Sequence, residues 1–192
     1  MNSIATSDNQ PTILLHPSGT VFRPFDPQPR DIHIEDIAHA LAQTNRFGGH
    51  LHEPYSVAQH CLLVSRLCTE EPLWALLHEV AEALSGLGDI QGPTKRHPSL
   101  HGPVKELECG IERAAALRFG FPSDFASAPS VKEADLLAFV WEDRDLRGGV
   151  ADEPWAIARR SQVPQERIVP MPWLEARAAF LDRFTTLTGR CM

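Results

Sequence analysis

From Ile34 onward, apolar residues recur every three or four positions. Ile34, Ile37, Ala38 and Leu41 fall on one stripe and predict a helix of about ten residues that ends before Gly48-Gly49. A second helix starts at Ser56, a good N-cap residue, and runs through 56–68 with Val57, Cys61, Val64 and Cys68 on its apolar face. Pro72 opens a third, strongly apolar segment over 73–84. Further helices are expected over 104–119, stopped by Gly120, over 130–146, and over 173–187. Residues 85–103 are rich in glycine, proline and polar groups and read as a long loop, a place where function often sits. Residues 1–30 hold five prolines and read as an irregular arm, with a short β-hairpin over 12–22 around Pro17-Ser18-Gly19. The expectation is a single all-α domain over 1–192, a bundle of about six helices with a small N-terminal hairpin and a C-terminal helix at 173–192.

Composition narrows the partners. The 192 residues carry 25 acidic and 18 basic side chains, a net charge of −7, so extended DNA or RNA would be repelled by the average surface. No apolar run is long enough to span a bilayer, and the start of the chain lacks the basic and apolar regions of a secretory signal, so a cytoplasmic protein without a membrane partner is expected. The four cysteines, Cys61, Cys68, Cys109 and Cys191, form no CxxC pair and predict neither a disulfide framework nor a zinc knuckle.

The chemistry concentrates on three helices. His60 lies on the apolar stripe beside Val57 and Val64. His78 shares a face with Leu77, Ala81 and Leu84, with Glu79 about 100° around the helix and Glu82 one turn on. Asp135 lies beside the stripe of Val131, Ala134, Ala138 and Trp141. Each alone also fits a plain reading, a satisfied core histidine or a solvated carboxylate. Asp143 and Asp145 read as ordinary charged surface. Together, His60, His78, Glu79 and Asp135 form a ligand set suited to Mn²⁺, Co²⁺, Fe²⁺, Ni²⁺ or Zn²⁺. The zincin motif does not apply, because the second histidine of HExxH is replaced by Glu82. Arg46 suits a phosphate, and Asp89, Thr94, Lys95 and Arg96 lie in the loop after the His78 helix. His50 and His52 enter the His60 helix and fit either a site or solvent.

The order of these residues, in IEDIAHALAQTNRFGGH, YSVAQH, LLHEVAEALSGLGDIQGPTKR and VKEADLLAF, resembles the HD-domain phosphohydrolase superfamily, in particular its bacterial 5′-deoxynucleotidases and small HD hydrolases of this length, over 34–146. The resemblance implies metal ligation by His60, His78, Glu79 and Asp135. It implies a base or orienting role for Glu82, a catalytic or substrate-binding role for Asp89, and phosphate binding by Arg46. It places Phe47 near the sugar, and it counts Thr94 and Lys95, at the end of the loop, among the substrate-binding residues. Glu79 stands where the family has aspartate, and Gly86-Leu87-Gly88 makes the approach to Asp89 about two residues longer. The implied activity is hydrolysis of deoxynucleoside 5′-monophosphates. The alternatives are a dNTP triphosphohydrolase or a non-catalytic nucleotide-binding module, and small HD proteins often form homodimers.

Overall fold

A computed structural model describes residues 11–189; the start of the chain and Cys191 lie outside this range. The N-terminal hairpin pairs β1 (Ile13–Leu14) with β2 (Val21–Phe22), Ile13 opposite Phe22. It is pinned to the first helix, α1 (Ile34–Gln43), where Asp36 is buried on an otherwise apolar face. The Ser18 backbone N–H and hydroxyl donate to its carboxylate at 2.9 and 2.6 Å, supplying the partners that a buried charge needs.

The helical body follows the expected order. After α1 come α2 (Val57–Leu67), α3 (Pro72–Leu77), α4 (Val80–Leu84), the one-turn α5 (Gly92–Lys95), α6 (Pro98–Phe119), α7 (Pro129–Leu146), the one-turn α8 (Pro154–Ile157) and α9 (Trp173–Thr188). Ser56 caps α2 by accepting from the Gln59 N–H, and Gly120 ends α6 in the left-handed conformation. Two apolar clusters fill the interior. One gathers Ile37, Leu41, Leu76, Leu77, Leu84, Ile111, Phe180 and Phe184 among α1, α3, α4, α6 and α9. The other packs Tyr55, Val64, Val131, Ala138 and Trp141 between α2 and α7. Helix α2 borders both and is buried from Val57 through Ser65. The protein is thus mostly helical with a small antiparallel hairpin, and no described helix is long and apolar enough to cross a membrane.

Three expectations change. The segment 73–84 is not one helix: it breaks at His78-Glu79, with Glu79 at φ −99°, ψ 22°. The His78 ring donates from Nδ1 to the Ala75 carbonyl at 2.7 Å. An unbroken helix would offer that carbonyl to the N–H of Glu79. Helix α6 begins at Pro98, earlier than expected, because proline is tolerated in a first turn and Pro103 lies where α6 is exposed. The loop after α4 is correspondingly shorter.

The third correction concerns Asp143 and Asp145, which are interior anchors rather than charged surface. The Asp143 carboxylate accepts from the Ala151 N–H at 3.0 Å. Asp145 receives Arg144, Arg167, the Trp141 indole and the Ile168 N–H, tying the chain before α9 to α7. Burial opposes its ionisation, but these donors win and hold its pKa down to about 2. A carboxylate with a depressed folded pKa contributes stability above its unfolded pKa of about 3.9 and loses it as pH falls through the folded value. Asp145→Asn is therefore expected to destabilise the protein by about 1–3 kcal/mol at neutral pH. It is also expected to flatten the loss of stability between about pH 4 and 2, as urea unfolding at several pH values would show.

Candidate metal centre

The two site histidines arrive from different helices with matching orientations. His60, on α2, directs Nδ1 to the Glu142 carboxylate at 2.7 Å. His78, at the α3–α4 break, directs Nδ1 to the Ala75 carbonyl. A carbonyl only accepts, so His78 carries its proton on Nδ1; the carboxylate sets His60 the same way. Both Nε2 atoms are thereby turned toward each other, 3.3 Å apart. Burial opposes charge on both rings, yet the surrounding carboxylates raise both pKa values, His78 well above the usual histidine range, so the pair favours a positive charge, a proton or a metal ion, between the two Nε2 atoms.

Asp135, on α7, completes the group. Its Oδ1 lies 3.2 Å from His60 Nε2 and 3.9 Å from His78 Nε2. About a third of the Asp135 side chain is exposed, but Oδ1 is buried and has no hydrogen-bond partner. A triangle with these three edges has its centre about 2.0 Å from every corner, which matches the ~2.0–2.2 Å ligand distances of zinc-like ions. His60, His78 and Asp135 can therefore hold a metal ion. Glu79 stands at the edge of this group, its Oε1 3.5 Å from His78 Nε2 and 3.9 Å from His60 Nε2, and equally close to Arg46.

Arg46 is the positive counterweight. It lies in a tight turn, Arg46–Gly49, between α1 and α2. Its guanidinium is surrounded by Glu79 and Glu142 at 3.5 Å and by Asp89 and Asp135 at 3.9 Å. Burial disfavours its charge, yet the four carboxylates drive its pKa well above the usual arginine value. Phe47 follows at φ 57°, a left-handed conformation that costs a non-glycine residue energy and often marks a functional turn. Asp89 accepts the Phe47 N–H, and the Gln91 side chain donates to the Phe47 carbonyl at 3.0 Å. Asp89 reaches this place despite the longer spacer because Gly86 and Gly88 turn the chain at φ +76° and +66°.

The remaining residues line a cavity of about 520 Å³ beside the metal group, where Arg46, Phe47, Glu79, Glu82, Asp89, Lys95 and Asp135 all form part of the wall. Glu82 is buried there, and its Oε2 has no hydrogen-bond partner. Burial raises its pKa well above the usual value, and the neighbouring Glu79 and Asp89 push it further. Lys95 lines the cavity but is paired with Glu108 at 2.7 Å. Thr94 is exposed and does not line it, and His50 and His52 are likewise exposed and outside it. A hollow of about 580 Å³ lies elsewhere, by Glu53 and Pro170 to Trp173, without a histidine or cysteine in its wall.

Sequence reasoning missed Glu142 and Tyr55. Glu142 is fully buried and accepts from His60, from the Tyr55 hydroxyl at 2.9 Å and from Arg46 Nε at 3.5 Å. Burial works against its charge, but His60 and Arg46 keep its pKa below the usual range. It orients the histidine in the manner of the outer carboxylates that hold metal-binding imidazoles. The signal was its position seven residues after Asp135, two turns along the same face of α7.

No family model matches the sequence. The chain is similar to two bacterial proteins that are themselves named as uncharacterised. It is 36% identical over 161 residues to YfdR of Escherichia coli (strain K12), covering 82% of this chain and 85% of that protein. It is 36% identical over 179 residues to RCAP_rcc00048 of Rhodobacter capsulatus, covering 85% of this chain and 89% of the other.

Proposed function

The chain belongs to the family that contains YfdR and RCAP_rcc00048, and we propose that it is a metal-dependent phosphohydrolase of the HD type, acting in the cytoplasm on deoxynucleoside 5′-monophosphates. The observation that carries this reading is the pair of inward-facing Nε2 atoms, 3.3 Å apart, with the orphaned Asp135 Oδ1, next to a buried carboxyl without a partner. A divalent ion at His60, His78 and Asp135, with Glu79 at its margin, would lower the pKa of a bound water and polarise a phosphoryl oxygen.

The chain's own residues divide the remaining work. Glu82, with its raised pKa, takes the proton from the attacking water. The water oxygen bonds to phosphorus, the bond from phosphorus to the 5′ oxygen breaks, that oxygen takes the proton held by Glu82, and nucleoside and inorganic phosphate leave. Arg46 neutralises negative charge on the phosphoryl oxygens. Asp89 holds the Arg46-Phe47 turn in place, and Glu142 fixes the tautomer of His60. The many carboxylates around Arg46 and the engagement of Lys95 by Glu108 favour a short anion over a triphosphate tail. A binding module has no need of a buried, unpartnered Glu82.

The test is Glu82→Gln. It is expected to keep metal affinity, because Glu82 is outside the ligand triangle, and to lower kcat by about 10²–10⁴. Calorimetric metal titration beside a phosphate-release assay reads both. Full activity in the variant overturns the role of Glu82.

A further inference from the structure

Beyond the metal group, the same cavity has a second half of different chemistry. Its wall there is formed by Phe47, Phe139, Arg147 and Trp155, none fully buried. Phe139 lies on α7 one turn beyond Asp135, so its side chain shares that residue's face. Its ring centre is 6.0 Å from Phe47 and 5.5 Å from Trp155. The Arg147 guanidinium carbon is 4.9 Å from the Phe47 ring centre and 5.4 Å from that of Phe139. Phe47 also borders Arg46, 5.3 Å from its guanidinium carbon, so one ring joins the two halves of the cavity.

We propose that Phe139, Trp155 and Arg147, with Phe47 at the junction, form a stacking subsite for a planar heteroaromatic ring, a nucleobase, carried by the part of the substrate remote from its phosphate. This rests on the phosphohydrolase reading for the placement of the phosphate, but the subsite itself is made of residues that take no part in metal ligation. Aromatic faces and a guanidinium plane recognise a base by stacking, which every base offers. The cavity's 520 Å³ falls within the range of small-ligand sites, about 300–1,000 Å³. The consequence is a site that takes purines and pyrimidines alike, purines more tightly because of their larger face, and that discriminates against sugar phosphates without a base.

The experiment uses the full-length protein labelled with ¹⁵N and titrated with deoxyadenosine in the presence of EDTA, so that neither metal nor phosphate takes part. The chain has four tryptophans, and the indole N–H signal that disappears in Trp155→Phe belongs to Trp155. Deoxyadenosine is expected to shift that signal and to leave those of Trp74, Trp141 and Trp173 in place, whereas 2-deoxyribose 5-phosphate leaves all four unmoved. Arg147→Ala, a half-exposed position, and Phe139→Ala are each expected to weaken deoxyadenosine binding about 5- to 100-fold. Equal shifts at all four indoles, or none, overturn the subsite. With Mn²⁺ present, equal KM for dAMP and 2-deoxyribose 5-phosphate also overturns it while leaving the hydrolase intact. A Trp155 shift in a protein that hydrolyses neither ester supports the subsite and defeats the hydrolase.

Discussion

Replacing Asp135 with alanine is expected to abolish stoichiometric binding of divalent metal and, with it, phosphate release. Two histidines remain in that variant, but the triangle loses the only corner supplied by α7. The wild-type protein is expected to gain about 2.7 kcal/mol from a metal present at a hundred times its dissociation constant. For a chain of this size that is a rise in melting temperature of about 5–10 °C. The Asp135→Ala variant should show no such rise, and EDTA should not lower its melting temperature. A variant that still melts higher with Mn²⁺, Co²⁺ or Zn²⁺ would mean that the metal is held elsewhere, and Glu79 with the two histidines would be the first alternative to test.

Removal of Glu142 is expected to have the largest effect on stability. Its side chain is fully buried, and Glu142→Ala would leave three donors inside the protein without their acceptor: the Tyr55 hydroxyl, the His60 Nδ1–H and the Arg46 Nε–H. Breaking a buried charged network by removing one member costs about 3–5 kcal/mol, which corresponds to a fall of about 6–20 °C in melting temperature. Tyr55→Phe removes one hydrogen bond and should cost about 1 kcal/mol. Metal affinity is also expected to fall about 10- to 100-fold in Glu142→Ala, because His60 loses the partner that fixes its tautomer. Urea unfolding and metal titration together measure this. A loss under 1 kcal/mol with unchanged metal affinity would show that His60 is oriented by its packing alone.

The periodicity of Ile34, Ile37, Ala38 and Leu41, and of Val57, Cys61 and Val64, gave α1 and α2 because apolar spacing and caps act locally. The same logic placed His60, His78 and Asp135 on or beside apolar helix faces, and the structure brings them together. It failed where one side chain overrides a local pattern. The run from Leu73 to Leu84 has continuous helical periodicity, yet it breaks at His78-Glu79, where the His78 ring takes the Ala75 carbonyl. Glu142, Asp143 and Asp145 sit in a dense charged run, which locally resembles a solvated face. Glu142 is covered by Tyr55 and His60, more than eighty residues away, Asp145 by the chain after α8, and Asp143 by the turn at Ala151, so none of this burial is written in the run itself. Thr94 is the opposite case: it is expected among the substrate-binding residues of the loop after α4, but the one-turn α5 leaves it facing solvent.

One chromatographic assay tests hydrolysis most directly. The purified protein is incubated with dAMP and Mn²⁺, and the products are identified by retention time, beside the same reaction in EDTA and with the Glu82→Gln variant. The predicted result is deoxyadenosine and inorganic phosphate from the wild type with metal, and unchanged dAMP in both controls. Unchanged dAMP in all three with Mn²⁺, Co²⁺ or Zn²⁺, or equal turnover by wild type and Glu82→Gln, would contradict it.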